Sequence, residues 1–236
     1  MNTLKIRPAL CAGLCLFLLG GCSQNGQDLE AAVDKLFSAY NHLCEADSLS
    51  AKGSIDAQGI FATYTAAYTS DPQQLAINAT LGQGDGKPVS FYIKDGKTYL
   101  NYMGTKSSSV AENIGIKPED GFHLSNPFLE LSRKERADLF ESVEVKDDTY
   151  TFTVKNSTAE EVLDDFGAAD VKKCVIKAVI DDDQIKNIYF QLDGALAVGS
   201  SATDVSLEAT AEILSVDKPV DIEFPADLDT WQTEAQ

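Results

Sequence analysis

From Leu49 onward apolar and polar residues alternate, stretch after stretch, with only short turns between them. Period two is the mark of strands with one face in a core and the other in water. Two-residue turns permit only antiparallel pairing, because a parallel return needs a crossover of a dozen residues or more. The clearest unit is VSFYIKDGKTYLNYMG, residues 89–104. Asp95-Gly96 supplies the positive φ angles of a type I′ turn, which sets Ile93 opposite Thr98, Phe91 opposite Leu100 and Val89 opposite Tyr102. Tyr92 then meets Tyr99 on the other face. A second hairpin, VEVKDDTYTFTV, sets Val145 opposite Tyr150 and Val143 opposite Phe152.

Earlier stretches place Leu49, Ala51, Gly53, Ile55 and Ala57 on one side of a strand. Ala62, Tyr64, Ala66 and Tyr68 share a side of the next, and Leu75, Ile77, Ala79 and Leu81 of a third. Strands are further expected over 173–181, 185–193 and 203–216, with a short last one in VDIEFP. Helical spacing occurs once at length, in QDLEAAVDKLFSAYNHLCEA, residues 27–46. Two capping boxes, Ser132 to Glu135 and Ser157 to Glu160, predict short helices, the first running through Ser142. Residues 105–131 are irregular, and Ser107–Ser109 read as loop. One helix, a long meander and two short helices must together cover the apolar side of a sheet. The economical solution is a sheet that curls round its own helices.

The N-terminus has Lys5 and Arg7, an apolar run from Ala9 to Leu19, and then Gly20-Gly21-Cys22. The run is too short to span a bilayer as a helix and has the form of an export signal. Its end resembles the bacterial lipobox. That resemblance implies a signal peptide over 1–21, diacylglycerol on the Cys22 thiol and a lipidated tether over 22–28. The expected location is the extracytoplasmic side of a bacterial membrane. An outer membrane fits a two-membrane cell, since Ser23 is not the Asp of inner-membrane retention. The expected domain covers 29–232.

The signal segment holds two basic residues and no acid, so the mature chain has 37 acidic side chains against 17 basic, a formal charge of −20. Such a surface excludes nucleic acid as a partner. Beyond Cys22 the mature chain has Cys44 and Cys174. An exported pair permits a disulfide, but one pair forms no dense framework, which favours two separate buried thiols.

No catalytic motif is present. His42 and His123 stand in no metal spacing, and no C-x-x-C, G-x-S-x-G or phosphate loop occurs. Asp181-Asp182-Asp183 lacks the ligand spacing of a calcium loop and suits a turn. No cofactor or metal is expected, and no enzyme. Arg133, Lys134 and Arg136 form the one tight basic cluster. Many strand positions are small, among them Ala51, Ala62, Ala66, Ala79, Ala178 and Ala209, which lets a sheet bend or leaves space inside it. Tyr64, Tyr68, Phe91, Tyr102, Phe152, Tyr189 and Phe190 are the candidate lining of such a space. A filled core is the alternative.

The lipobox, the N-terminal helix, the meander, the Ser-x-x-Glu helices and Ile222-Glu-Phe224-Pro225-Ala-Asp227-Leu228 together resemble the LolA/LppX-like superfamily of bacterial envelope proteins. The resemblance implies an α+β fold: one curved antiparallel half-barrel sheet, with the N-terminal helix and short central helices on its concave side. It also implies an apolar cavity for acyl chains or lipoproteins. Related members signal to a membrane partner, so an envelope protein partner meeting an acidic exterior with a filled core is the second expectation. An own lipid anchor argues against a free shuttle.

Overall fold

The computed structural model describes residues 26–82, 85–109, 130–163, 168–198 and 201–233. Cys22, the signal segment and His123 lie outside them. Helix α1 spans Gly26–Cys44. It is followed by β1 (Ser48–Ala57), β2 (Ile60–Ser70), β3 (Gln73–Leu81), β4 (Lys87–Lys94), β5 (Lys97–Tyr102) and β6 (Thr105–Ser108). Helix α2 (Arg133–Asp138) precedes β7 (Phe140–Lys146) and β8 (Thr149–Val154). Helix α3 (Asn156–Leu163) leads to β9 (Ala168–Asp181), β10 (Gln184–Val198), β11 (Ser201–Val216) and the two-residue β12 (Gln232–Thr233). Hydrogen bonds join the strands into one sheet in the order β12-β6-β5-β4-β3-β2-β1-β11-β10-β9-β8-β7. The registered pairs are antiparallel except β12 with β6, which is parallel. The expected α+β single-sheet fold is present.

The chain forms two compact units. Unit 1 takes Met1–His42, Ile55–Gly59 and Ser125–Ala211; unit 2 takes Leu43–Ser54, Ile60–Leu124 and Glu212–Gln236.

In unit 1 the predicted stripe of α1 buries Ala32, Val33, Leu36 and Phe37. Pairing of Val143 with Phe152 and Phe152 with Ile176 puts these three on one sheet face, where Tyr150, Ala178 and Ile180 also lie. Phe140 joins Phe37 of α1 to Phe152, with ring centroids 6.3 and 5.3 Å apart. Burying each such side chain contributes about 1.5–3 kcal/mol. Among the described residues these side chains form the core of this unit.

The Ser132 box forms as expected: Ser132 Oγ accepts from the Glu135 N–H and Glu135 accepts from the Ser132 N–H. Hydrogen bonding to Ser132, its hydroxyl first and then its N–H, holds the Glu135 carboxyl below its usual range. Helix α2 stops at Asp138, however, rather than Ser142. The pull of Phe37 and Phe152 on Phe140 commits that residue to β7, with an irregularity between Phe140 and Ser142. The second box gives way too. Helix α3 starts on the Lys155 carbonyl, and Glu160 accepts instead from the N–H of Val171 at 3.1 Å. Most of the basic cluster serves packing, since Arg133 pairs with Asp34 and Arg136 lies 5.8 Å over the Phe37 ring.

Cys174 is buried on the same face and Cys44 is half-buried at the end of α1; the two are not joined in a disulfide. Burial pushes the Cys174 thiol up to about 12 from 9.0. An acid whose pKa is raised by folding adds stability that is whole below its unfolded pKa and disappears as pH climbs toward the folded one. Urea-unfolding stability is therefore expected to fall between about pH 9 and 12, and Cys174→Ala to flatten that fall. The native Cys174 thiol should also resist alkylation at pH 8 until the protein unfolds.

The acidic triplet is a turn. Asp181 pairs with Gln184, and Asp182 and Asp183 both take left-handed φ, +48° and +55°. Asn-Gly is preferred at such positions. Asp183→Gly is expected to raise stability by about 0.5–1 kcal/mol in urea titration. The Lys35 ion pair it loses is 3.7 Å long and exposed, so it contributes little.

Candidate functional site

Unit 2 has a sheet face built from three cross-strand rows. Residues 62–70 of β2 pair with 73–81 of β3 without interruption, and the Asp95-Gly96 hairpin forms in the predicted register. Tyr68, Leu75, Ile93 and Thr98 make the first row; Ala66, Ile77, Phe91 and Leu100 the second; Tyr64, Ala79, Val89 and Tyr102 the third. Burial falls along this series. Leu75, Ile93 and Thr98 are buried, the second row is half-buried throughout, and Tyr102 is 54% exposed. The surface is apolar, bounded by an aromatic ring at three corners, and partly open.

Four of the seven candidates for the lining, Tyr64, Tyr68, Phe91 and Tyr102, thus meet on one face. Tyr102 is a correction in degree, since it stands out at the margin instead of lining an interior. Phe152 is fully buried in unit 1, between Phe140 and Tyr150. Phe190 and Tyr189 lie half-buried in β10, in unit 1. Burial first, and then the Asp47 carboxylate, raises the Tyr68 pKa, so its hydroxyl stays neutral at physiological pH.

The other face of the same strands is covered. Ala76, Tyr92 and Tyr99 pack with Leu228 and Trp231, and Ile222 and Phe224 close over them. Trp231 sits edge-on to Tyr92 and Tyr99 at 5.9 and 6.1 Å. Lys106 bonds Asp227 at 2.5 Å and lies 5.2 Å over the Trp231 ring. Lys106 holds the Asp227 carboxyl below its ordinary range, and the buried indole N–H of Trp231 completes no hydrogen bond. The expected last strand in VDIEFP is absent, because that segment lies across the sheet face and spends its apolar side chains there. Strand β12 forms later, beside β6. Strand β6 itself corrects the loop expected at Ser107–Ser109: the Met103-Gly104 turn folds it back, and Ser107 is buried opposite Leu100.

Beside this cover is a cleft of about 430 Å³ within unit 2. Ala51, Ala67 and Ala76 line it together with Thr65, Asn78, Ser215, Asp221 and Glu223. Thr65, Ala67, Ala76 and Asn78 share the face of Tyr92 by register. Small residues do leave room here, but on the side of the tail and with a half-polar wall. Tyr92, Tyr99 and Trp231 were not foreseen as a group. The Tyr92–Tyr99 pairing was legible, and Trp231 is the chain's one tryptophan.

Among the described residues no helix is long and apolar enough to cross a membrane. Among them also no three His, Cys, Asp or Glu side chains are arranged to hold a metal. His42 is exposed at the end of α1.

No family model and no curated protein matches the chain. Solved structures similar to it include the lipoprotein LppX of Mycobacterium tuberculosis, 14% identical over 82% of this chain and 98% of that one, TM-score 0.45. LprF from Mycobacterium bovis is 10% identical over 87% and 100%, TM-score 0.43. A DUF1329 family protein from Desulfovibrio piger is 12% identical over 84% and 93%, TM-score 0.24. LppX, whose name the sequence resemblance carries, is thus among the structural neighbours.

Phe152→Ala is expected to cost about 3–5 kcal/mol in urea unfolding. Phe91→Ala, on a half-open face, should cost clearly less in the same titration.

Proposed function

We propose that this protein is a lipid-anchored, extracytoplasmic, non-enzymatic binder that holds an acyl chain or similar apolar ligand against the open face of unit 2. The observation that supports it is the graded row series from buried Leu75 and Ile93 to exposed Tyr102. A contiguous apolar surface left partly in water marks an interaction site rather than a finished core. The tail has already covered the opposite face, so this one is free to take a ligand. The Cys22 thiol is the proposed acylation site, and its acyl chains the membrane anchor.

A second reading is supported by the net charge of −18, which suits an exterior that meets a basic envelope protein. Salt-sensitive crosslinking in cells, with no bound lipid, would favour it.

Native mass spectrometry of the purified protein should show an apolar ligand, and a fluorescent fatty acid should be taken up stoichiometrically. Phe91→Glu is expected to weaken uptake at least tenfold, since it sets a charge among Ile77, Ala66 and Leu100. Uptake by neither the protein nor its delipidated form would overturn the proposal.

A further inference from the structure

Three exposed apolar side chains stand at one end of the β2–β6 stretch of unit 2. Ile60 is 67% exposed, Tyr102 54% and Met103 40%. Tyr102 belongs to the outermost row, with Tyr64, Ala79 and Val89. Ile60 lies four residues before Tyr64, hence on the same side of β2 and farther out. Met103 occupies the turn just beyond Tyr102, its N–H donating to the Pro88 carbonyl at 2.9 Å. The three therefore form a rim at the most open margin of the apolar face.

Two independent features bear on what meets that rim. The first is backbone strain. Met103 holds φ +53°, a left-handed conformation that disfavours a bulky side chain and that Asn or Gly adopts readily. Folding alone would place Asn there; the turn keeps a large, flexible, apolar side chain in water instead. The second is charge. Of the two lysines in the β5–β6 hairpin, Lys97 stands at the far end and Lys106 is held by Asp227. Exposed Lys87, two residues beyond Val89 on the same face of β4, is the cation at this margin. A bilayer carrying anionic headgroups repels the acidic body at close range, and Lys87 gives this margin a charge to meet it. Tyr at such a margin suits the headgroup level, where an aromatic ring is half in water and half in acyl chain.

We propose that the rim of Ile60, Tyr102 and Met103 docks on the surface of a lipid bilayer. Met103 enters the acyl boundary and Tyr102 lies at the headgroups. The docking stands apart from the ligand reading above. Where both hold, it sets the open margin of the apolar face against the lipid that would supply the ligand.

The test uses full-length protein reconstituted in phosphatidylcholine–phosphatidylglycerol vesicles whose acyl chains are brominated, which quench nearby tryptophan. Met103→Trp should lose most of its added emission. Lys97→Trp, at the opposite end of the same hairpin, should keep it, and buried Trp231 gives the background in the unsubstituted protein. Tyr102→Trp repeats the measurement at a position with ordinary strand geometry, should the turn not tolerate Trp. Quenching at 103 and 102 no greater than at 97 would overturn the proposal. So would a photo-crosslinker at 103 that captures an envelope protein in cells and no lipid. Fatty-acid uptake failing while quenching persists would remove the ligand reading and leave the docking intact.

Discussion

The pairing register of β2 through β5 is the constraint on which unit 2 depends. Because side chains alternate across a strand, one register places Tyr64, Phe91 and Tyr102 on one face and Ala76, Tyr92 and Tyr99 on the other. A slip of one residue would exchange the two sets. The Asp95-Gly96 turn fixes β4 against β5, with φ of +53° and +70° at its two central residues. From that point the neighbouring strands follow by hydrogen bonding, and the chemistry of each face is settled.

What separates the faces functionally is the tail. Ile222, Phe224, Leu228 and Trp231 give the Tyr92–Tyr99 side a permanent apolar cover, while Lys106 and Lys94 tie down Asp227 and Asp229 at its margin. Those ion pairs are exposed and contribute little beside the aromatic burial. With the Tyr92–Tyr99 side closed by the chain's own tail, the three-row side is the one that keeps apolar surface partly in water. The cleft beside the tail differs in kind, since Thr65, Asn78, Asp221 and Glu223 give it a half-polar wall.

Unit 1 follows a different economy. There α1 lays Val33, Leu36 and Phe37 against the strands, and Phe140 bridges Phe37 to Phe152. Aromatic rings meeting at that contact enclose Phe152 completely. The thiol of Cys174 sits in the same apolar surroundings, which keep it protonated and inert. Both units bury apolar side chains, and the graded open face of rows belongs to unit 2.

Local chemistry was enough to read α1, the two hairpin registers, the Ser132 cap and the Asp182-Asp183 turn, because each depends on side chains within a few residues of one another. The antiparallel order of the meander followed from turn length alone. Other outcomes depended on residues far apart in the chain. Phe140 left its expected helix because Phe37, about a hundred residues earlier, packs on it; VDIEFP left its expected strand because Tyr92 and Tyr99 draw Ile222 and Phe224 across the sheet. Periodicity states which residues share a side. It does not state what comes to lie on that side, and only tertiary packing decided that Phe152 is enclosed while Phe91 and Tyr102 are not.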